Sequence, residues 1–526
     1  MPHDVVSRDK TGLNLLVFLG SAVSITLFGI AFVLFPDICA NILQWSQRQA
    51  NHFFGWYYIL VVISCLGFVI WLGFSKYGSV PLGKDDDRPE FGYLAWTSML
   101  FSAGIGIALL YYGTAEPLDH FLRPPEGVPG TRDAARQAMV YTFLHWGVHG
   151  WALYALVGIT IGYFGFRLNF PLALRSALYP IFGNKIYGII GDLVDGFGIL
   201  ATVTSLVTNL GIGALVILSG VNFVFPEIAN NHFNLVVVVI AMMMVATITA
   251  VVRIDKGLAI LSNVNIRMLC LLLLFVFFTG PTTHLINALV QNVGDYLSQF
   301  VKQSFNLYTY NNKASDWLAD WTIFYWAWWI AWAPFVGLFI ARISKGRTIR
   351  EVTLGVCLIP LGFTLAWLSI FGNSAIELVF QQGQTGLGQL ALTDQALSLF
   401  KFLEFLPLNP YVAFIVIIMC FILFLSPVGS GTMMVASLST KGKTNDEDSP
   451  IWLRIFWSIV ITIVSISLLL AGSFGAMQNG VVLCGLPFSA ILLLYIYGLA
   501  TALKSDPLFT HKNVANELDQ QEKLKD

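Results

Sequence analysis

Residues 321–337, which read Trp-Thr-Ile-Phe-Tyr-Trp-Ala-Trp-Trp-Ile-Ala-Trp-Ala-Pro-Phe-Val-Gly, decide the fold of this chain. Five tryptophans fall within little more than three helical turns, and the apolar run continues to Ile343, next to a basic cluster. In membrane helices Trp concentrates at the interface, where its N–H finds water. A file of tryptophans that reaches toward the middle of a span therefore predicts a recognition surface.

The aromatic faces of this stretch predict a site for a cation. Trp326, Trp329 and Trp332 recur at intervals of three and share one helix face, and Trp328 lies one turn from Trp332. Trp faces attract a cation that has no N–H to donate, and a quaternary ammonium is the commonest ligand of this kind. A lipid-facing or packing stripe is the alternative interpretation for any single ring. The cluster as a whole, followed by the helix breaker Pro334, favours a binding site.

Composition places the chain in a lipid bilayer. Of its 526 residues 56% are hydrophobic and 11% are charged, and the mean hydropathy is +0.72, unlike a soluble domain. A net charge of -1 predicts no nucleic-acid partner. Crossing the membrane takes about 20 apolar residues. Twelve segments of that kind are predicted at 14–35, 55–75, 92–117, 138–165, 187–222, 233–252, 257–280, 318–343, 350–373, 410–438, 451–473 and 477–503.

Basic residues are distributed unevenly between the loops that join these twelve spans. Most of the lysines and arginines of the short loops fall on one side of the membrane. By the positive-inside rule that side is the cytoplasm, and an even number of spans puts both termini there. Two further segments, 284–304 and 386–402, keep a helical period with one polar face. They are predicted to lie along the extracellular surface.

Helix breakers fall inside three of the predicted spans. In 92–117, Gly104-Ile105-Gly106 predicts an unwound segment whose backbone groups line a cavity, although glycine also serves close helix packing. The span at 318–343 carries Pro334 and follows five segments later. A third irregularity is predicted at 425–432. Interrupted helices at matching positions of two five-helix halves indicate an inverted-repeat transporter with its substrate near the midplane.

On these residues the chain resembles the betaine/carnitine/choline transporter family over about residues 12–505. The resemblance implies an all-α integral membrane protein with twelve transmembrane helices, two peripheral and ten in an inverted-repeat (LeuT-like) core, commonly assembled as a homotrimer. The matching motifs are Ala103-Gly104-Ile105-Gly106, Tyr112-Gly113, Glu116-Pro117, His145-Trp146 with Trp151 and Tyr154, and the signature from Trp326 to Trp332.

The resemblance also divides the chain. It implies a cytoplasmic N-terminus at 1–13, two accessory helices and a loop at 14–91, a first five-helix repeat at 92–280, an interfacial amphipathic helix and loop at 281–317, a second five-helix repeat at 318–504, and a short cytoplasmic tail at 505–526. This tail is balanced in charge, which argues against osmosensing through it.

The family's aromatic box carries over to four residues of this chain. Span four supplies Trp146, Trp151 and Tyr154, and span eight supplies Trp329. On one helix the first three positions spread over about 140° of arc, which lets them face one cavity. Trp326, Trp328 and Trp332 match the outer and inner way-stations of the family signature, that is, positions outside the aromatic box where the resemblance implies contact with the substrate. A substrate carboxylate would meet backbone N–H groups of the broken helix at Gly104, Ile105, Gly106 and Ala108.

Two departures from the family pattern bear on substrate and coupling. Choline-selective members often carry Asp where this chain has Ala108, so glycine betaine is the expected substrate, followed by carnitine or choline. Sodium-coupled members have a Thr-Ser-Ala-Asp-Ser pattern in span ten, of which only Ser426 remains here. In span five Thr202 is kept but the threonine one turn later becomes Leu206, so both sodium sites are weakened.

Arg267 stands in the middle of span seven, and an intramembrane charge requires a cavity or a partner. We expect its guanidinium to supply the positive charge that sodium supplies elsewhere, as in sodium-independent carnitine exchangers of the family. The alternative is that Arg267 reaches toward the cytoplasmic edge. The coupling partner is then a proton or a counter-substrate.

The sequence therefore predicts a secondary transporter of trimethylammonium compounds in the bacterial inner membrane, without a metal or cofactor. A sodium-coupled symporter of the same substrates, a channel or a non-transporting sensor remain alternatives. An enzyme using His145, His149 and Glu116 lacks any nucleophile or metal motif, so the two histidines are expected to be hydrogen-bonded structural groups. Glu116 and Asp119 are expected near the outer surface, in solvated or capping roles.

Overall fold

Helices dominate the computed structural model, which describes residues 12–104, 106–252, 255–441, 449–471 and 474–509. The helices of its N-terminal half are α1 Leu15–Leu34, α2 Pro36–Phe74, α3 Tyr93–Gly104, α4 Ala108–Leu122, α5 Arg132–Trp146, α6 Val148–Gly162, α7 Tyr179–Phe182, α8 Ile189–Val224, α9 His232–Val252 and α10 Asp255–Thr279. Helix α11, Thr282–Ser304, follows α10.

The helices of the C-terminal half are α12 Asn312–Leu318, α13 Phe324–Ile343, α14 Ile349–Phe380, α15 Thr385–Thr393, α16 Gln395–Glu404, α17 Tyr411–Leu438, α18 Ile451–Leu470 and α19 Phe474–Lys504. Strands β1 (Gly12–Leu13) and β2 (Thr440–Lys441) pair antiparallel. Short 3-10 turns cover Lys76–Ser79, Leu174–Leu178 and Gly183–Tyr187. Turns of π-helix cover Tyr163–Arg167 and Ala319–Ile323.

The predicted membrane segments all correspond to helices. In the described part of the chain ten helices are long and apolar enough to cross a membrane, and eleven if α10 and α11, bent by 114°, count as one span. The remaining predicted segment, 92–117, is the pair α3 and α4. These helices have 12 and 15 residues, each shorter than the about 20 residues that cross a membrane alone.

Helix α2 begins well before its predicted position at 55–75. It has 39 residues, or about 58 Å at 1.5 Å per residue, against a hydrocarbon core of about 30 Å. Its first half carries polar residues such as Gln44 and Arg48, which a hydropathy criterion does not assign to a span. Pro36 stands at the first helical position. An N–H at this position would have no partner within the helix, so its absence in proline costs no hydrogen bond.

The ten core spans pack with a two-fold pattern. Helix α4 of span three packs on α14 of span nine, and α6 of span four packs on α13 of span eight. Likewise α8 packs on α18, and α9 on α17. Exchanging the two halves converts the contact of α4 with α14 into that of α13 with α6, and the contact of α8 with α18 into that of α17 with α9. An inverted repeat requires this correspondence. Five spans in each half place the second half upside down relative to the first. The limits 92–280 and 318–504 of the repeats stay predictions.

Two glycines let spans four and eight approach closely. A Cβ on Gly337 of α13 would lie 2.3 Å from Cγ1 of Val157, and a Cβ on Gly158 of α6 would lie 2.6 Å from Cγ2 of Ile340. Real Cβ atoms do not stand that close to a neighbour. Small residues therefore set the distance between these helices.

Two predicted interruptions are wrong. Helix α13 continues through Pro334 to Ile343, and α17 runs unbroken through 425–432. Neighbouring helices and local adjustments satisfy backbone groups that a proline frees in a membrane helix. The irregular part of span eight is instead the π turn Ala319–Ile323, before α13.

The two amphipathic segments differ from each other. Residues 284–304 form one helix, α11, as expected. Residues 386–402 are split between α15 and α16 at Asp394, whose side chain accepts a hydrogen bond from the Leu397 N–H at 3.0 Å. Leu399 and Phe400 of α16 are fully buried, and α16 packs on α4 and α8. This segment therefore buries its apolar face against the core, and its place along the extracellular surface stays a prediction.

The loops that carry most of the basic residues meet at one end of the bundle. Arg167 pairs with Asp506 through Nε at 2.5 Å and with Asp85 through Nη1 at 2.8 Å. Arg175 bonds Asp192, which also accepts from Asn14 at the start of the described chain. Strand β2 follows span ten at this same end because it pairs with β1. The structure thus gathers the basic loops as the sequence predicted.

The close contact of α6 and α13 predicts a stability difference between two glycine variants. Gly337→Ala adds a methyl where Val157 is in the way, whereas Gly67→Ala on α2 adds it in open space. Both gain the same helix propensity, and overpacking costs about 1–3 kcal/mol. Gly337→Ala should lower the melting temperature in detergent, and Gly67→Ala should not. Equal melting temperatures would contradict the close contact.

Candidate functional site

Four predicted aromatic residues converge between spans four and eight. The ring of Trp329 lies 6.3 Å from that of Trp146, 5.4 Å from that of Trp151 and 4.9 Å from that of Tyr154, centroid to centroid. Trp151 and Tyr154 are 5.9 Å apart. All four are buried. We call Trp146, Trp151, Tyr154 and Trp329 the ring cluster.

A break in span four shapes the ring cluster. Helix α5 ends at Trp146, Gly147 is extended, and α6 begins at Val148. The prediction that Trp146, Trp151 and Tyr154 share an arc of one helix is therefore wrong. Trp146 ends α5, whereas Trp151 and Tyr154 belong to α6. Gly150 completes the arrangement, since a Cβ there would stand 2.2 Å from Cδ2 of Trp329.

The angles between the rings suit a cation. Trp146 and Trp329 meet at 83°, and Trp151 and Tyr154 meet at 90°. Two perpendicular faces that each stand about 4.5 Å from a cation have centroids about 6.4 Å apart. The separation of 6.3 Å between Trp146 and Trp329 matches this value. This angle and separation are compatible with a corner in which both faces attract one positive charge, as well as with an edge-to-face contact.

Hydrogen bonds fix two of the three indoles. Trp329 Nε1 donates to the carbonyl oxygen of His145 at 2.9 Å, and Trp146 Nε1 donates to Oε2 of Glu116 at 2.8 Å. The buried Nε1 of Trp151 has no partner among the described residues. The positions of Trp146 and Trp329 are therefore set before any ligand arrives.

Glu116 is fully buried, so the expectation that it is solvated is wrong. Besides Trp146, Tyr325 donates its hydroxyl to Oε2 at 2.5 Å. Oε1 is 2.7 Å from Nδ1 of His145 and 3.3 Å from Nε2 of His120. Polar groups of spans three, four and eight thus surround one carboxylate. We call Glu116, His120, His145 and Tyr325 the carboxylate network.

Asp119 is also buried rather than solvated, and it pairs with Arg123 one turn further along α4. Nε2 of His145 is 2.9 Å from the Thr322 hydroxyl. Nε2 of His149 is 2.8 Å from the Ser304 hydroxyl. Both histidines are hydrogen-bonded inside the bundle, as expected of structural groups.

Three ligand atoms of the carboxylate network are close enough for a metal to be considered. The side-chain atoms of Glu116, His120 and His145 lie within 4.8 Å of one another. Ligands of a tetrahedral zinc ion stand about 3.3 Å apart, given bonds of about 2.0 Å. The 2.7 Å between His145 and Glu116 is instead a hydrogen-bond length. Nδ1 of His120 is buried without a partner among the described residues, whereas both ring nitrogens of His145 have hydrogen-bond partners.

A second aromatic group adjoins the ring cluster. The ring of Tyr112 lies 5.5 Å from Tyr325, 6.1 Å from Trp321, 6.3 Å from Trp328 and 6.2 Å from Trp146. This group places the predicted way-station residue Trp328 next to the cluster, one ring beyond Trp146. Sequence analysis did not assign Tyr112, Trp321 or Tyr325 a role in the site.

The other two signature tryptophans lie outside the ring cluster. Trp326 stacks on His149 with centroids 5.2 Å apart. Trp332 contacts the ring of Phe335 at 5.1 Å. The spacing of three that joined Trp326, Trp329 and Trp332 on one face does not make them line one cavity.

Span three is broken where the sequence predicted. Helix α3 ends at Gly104 and α4 begins at Ala108. Ile105 and the side-chain surroundings of Gly104 lie outside the described residues. A Cβ on Gly106 would meet no atom within 4 Å, so the break borders open space there. Ala108 is buried and opens α4, whose first turn is closed by hydrogen bonds from the Leu109 N–H to the Gly106 carbonyl and from the Leu110 N–H to the Ile107 carbonyl, each at 3.1 Å.

The predicted coupling residues lie on three different helices. Thr202 on α8 is fully buried, and its hydroxyl has no partner among the described residues. Arg267 on α10 is exposed and shares its helix face with Leu271, which is 66% exposed. The structure thus places Arg267 on an outward face of α10, and the alternative that it reaches toward the cytoplasmic edge stays a prediction. Ser426 belongs to α17, but its side chain lies outside the description.

Comparisons with known proteins place the chain among relatives. The family model of betaine/carnitine/choline family transporters matches residues 16–508. The osmo-independent choline transporter BetT1 of Acinetobacter baylyi is 69% identical over 494 residues, 94% of each chain. A high-affinity choline transport protein of Escherichia coli is 40% identical, covering 95% of this chain and 73% of that one. The glycine betaine transporter OpuD of Bacillus subtilis is 40% identical, covering 90% and 91%.

The position of Trp329 depends on the missing Cβ at residue 150. Gly150→Ala should displace the indole and weaken its hydrogen bond to His145, since the new methyl overlaps the ring. We expect a changed tryptophan emission spectrum and a loss of stability of about 1–3 kcal/mol. The matched control is Gly294→Ala on α11, where nothing lies within 4 Å. An unchanged spectrum in Gly150→Ala would contradict this arrangement.

Proposed function

The chain belongs to the betaine/carnitine/choline family of transporters, and from this premise we propose that it carries choline across the membrane by alternating access. It is a multi-pass membrane protein and a secondary transporter of quaternary ammonium compounds. The choice of choline, the residues that bind it and the coupling mode are the parts that we propose.

The single observation that carries the proposal is the ring cluster. A trimethylammonium group has no N–H and cannot be held by ordinary hydrogen bonds, but ring faces attract it with about 0.5–2 kcal/mol per ring once water is excluded. The corner of Trp146 and Trp329 supplies two such faces. The cluster lies between the two repeats, and rocking of one repeat against the other exposes a site there to each side in turn.

Choline is supported over glycine betaine by two observations. The relative that is 69% identical is named as a choline transporter. In addition, the buried Glu116 carboxylate next to Trp146 provides the negative charge that Ala108 does not. The sequence-based preference for glycine betaine stays an alternative, and the relative from Bacillus subtilis bears the name of a betaine transporter.

Transport is proposed to be independent of sodium, with a proton or a counter-substrate as the coupling partner. A sodium ion needs several oxygen ligands, and buried Leu206 and Val428 stand where the family's sodium-coupled members have oxygen-bearing side chains. Because Arg267 is exposed, its proposed role as a substitute charge lacks support from the geometry. That role stays a prediction.

The proposed setting is a bacterial inner membrane with both termini in the cytoplasm. It is supported by the gathering of the basic loops at one end of the bundle and by the positive-inside rule. The homotrimer implied by the family resemblance is proposed as the assembly. Mass measurement of the purified protein in detergent tests it.

Choline uptake into proteoliposomes tests the function. We expect uptake of labelled choline to be saturable and to be faster when unlabelled choline is present inside the liposomes. The reason is that the binding site of a carrier returns to the outer side faster when it is occupied. Trp329→Leu should raise KM for choline about 2- to 30-fold through loss of one ring face. Trp45→Leu removes an exposed ring of α2, 63% exposed, and should leave KM unchanged.

A channel, a sensor or an enzyme would show no acceleration by choline on the opposite side, and that outcome would overturn the proposal. Uptake of glycine betaine with no uptake of choline would leave the carrier in place but reverse the choice of substrate.

The coupling proposal predicts how uptake responds to ions. An inward sodium gradient should change the initial rate of choline uptake by less than about twofold relative to potassium, since the oxygen ligands of both family sodium sites are incomplete. A proton gradient or internal choline should drive uptake instead. A requirement for sodium would show that Thr202 and backbone oxygens suffice for a site.

A further inference from the structure

We infer that the buried carboxylate of Glu116 is the fixed counter-charge for the substrate cation and that it acts through the indole of Trp146. This inference rests on the proposed function and makes Glu116 a residue that determines charge specificity. Neither the composition of the box nor the names of the relatives assign it this role.

The surroundings of Glu116 favour its ionised form. The carboxylate accepts hydrogen bonds from Trp146 Nε1 at 2.8 Å and Tyr325 Oη at 2.5 Å, and His145 Nδ1 lies at 2.7 Å. Donors that point at an anion form bonds roughly twice as strong as those between neutral groups. No solvent reaches the group, which is 0% exposed. The charge is therefore held in place and is not screened by water.

The inference requires that the two histidines beside Glu116 are neutral. Nδ1 of His145 lies 2.7 Å from Glu116 and Nε2 lies 2.9 Å from the Thr322 hydroxyl, and a neutral ring satisfies both contacts. Asp119 and Arg123 pair with each other. The remaining ionisable groups in contact with the network are tyrosines and a second histidine, namely Tyr112, Tyr141, Tyr325 and His120.

The distance from this charge to the ring cluster is short enough to affect binding. A cation about 4.5 Å above the Trp146 face would stand about 6–7 Å from the carboxylate, given the hydrogen bond along the ring plane. At an effective dielectric constant of about 20, two unit charges at that separation change affinity by about 10- to 100-fold. The hydrogen bond also polarises the indole and increases the electron density of its face.

This placement predicts that Glu116 responds to the net charge of the ligand. Choline carries one positive charge, whereas glycine betaine also carries a carboxylate that Glu116 repels. The uncharged isostere 3,3-dimethylbutanol has the shape of choline without its charge. A group that only holds the site together would affect all three ligands equally. A counter-charge affects choline most.

The test compares these three ligands in the purified full-length protein. Dissociation constants are measured by tryptophan fluorescence for the wild type, Glu116→Gln, Glu116→Asp and Asp119→Asn. Glu116→Gln should weaken choline binding about 10- to 100-fold while changing the constants for betaine and 3,3-dimethylbutanol less than about threefold. Glu116→Asp keeps the charge and should recover part of the choline affinity. Asp119→Asn, on the same helix but paired with Arg123, should behave as the wild type.

Equal losses for all three ligands in Glu116→Gln would overturn the inference and leave Glu116 a structural residue, as would no loss for any of them. If Glu116→Gln is not recovered from the membrane, Glu116→Asp gives the answer. It keeps the charge but moves it one methylene away from Trp146, so the ratio of choline to 3,3-dimethylbutanol affinity must fall below that of the wild type, and an unchanged ratio would overturn the inference. A wild type that binds none of the three ligands refutes the proposed function instead, so the two failures can be told apart.

Discussion

A carboxylate inside a membrane protein must be surrounded by donors, because removing it from water without partners costs many kcal/mol. In this chain the donors for Glu116 come from span four through His145 and Trp146, and from span eight through Tyr325. Those are the two spans that supply the ring cluster. The charge, its donors and the binding site are consequently one structural unit, in which no part keeps its position without the others.

Glycine sets how closely the elements of this unit approach. Gly150 leaves room for Trp329, and Gly158 and Gly337 bring the helices of spans four and eight together. Gly147 interrupts the helix of span four, so Trp146 does not continue the helical register of Trp151. In a bilayer the hydrophobic effect does not drive helices together, so contact between small residues supplies much of the packing. The site is thus defined as much by absent side chains as by aromatic ones.

The sequence identifies what hydropathy and composition record, and it misses what depends on contacts between distant residues. The spans, the break at Gly104 to Ala108 and the four rings follow from apolar runs, paired glycines and a dense tryptophan signature. The break at Gly147 leaves no mark in hydropathy, since a single glycine among apolar residues is common. Pro334 was expected to end a helix, but the surrounding bundle satisfies the backbone group that it frees.

Glu116 was assigned to the surface because it stands near the end of an apolar segment. A sequence signal was available, since an acidic residue within a run of apolar ones indicates a functional group with a partner. Its partners could not be found from the sequence, because His145 and Tyr325 lie 29 and 209 positions away. The division of residues 386–402 into α15 and α16 was missed for a different reason, since it depends on the cap at Asp394 that the amphipathic pattern does not record.

The separation of Glu116 from Tyr325 also affects the order in which the protein is made. The ribosome adds about 5–20 residues per second, so the 209 positions between them correspond to about 10–40 s. During that time span three has left the ribosome while the hydroxyl that will bond its carboxylate does not yet exist. In that interval His145 and Trp146, which are 29 and 30 positions away, are partners that can already reach the carboxylate, and Tyr325 completes its surroundings only when translation reaches span eight.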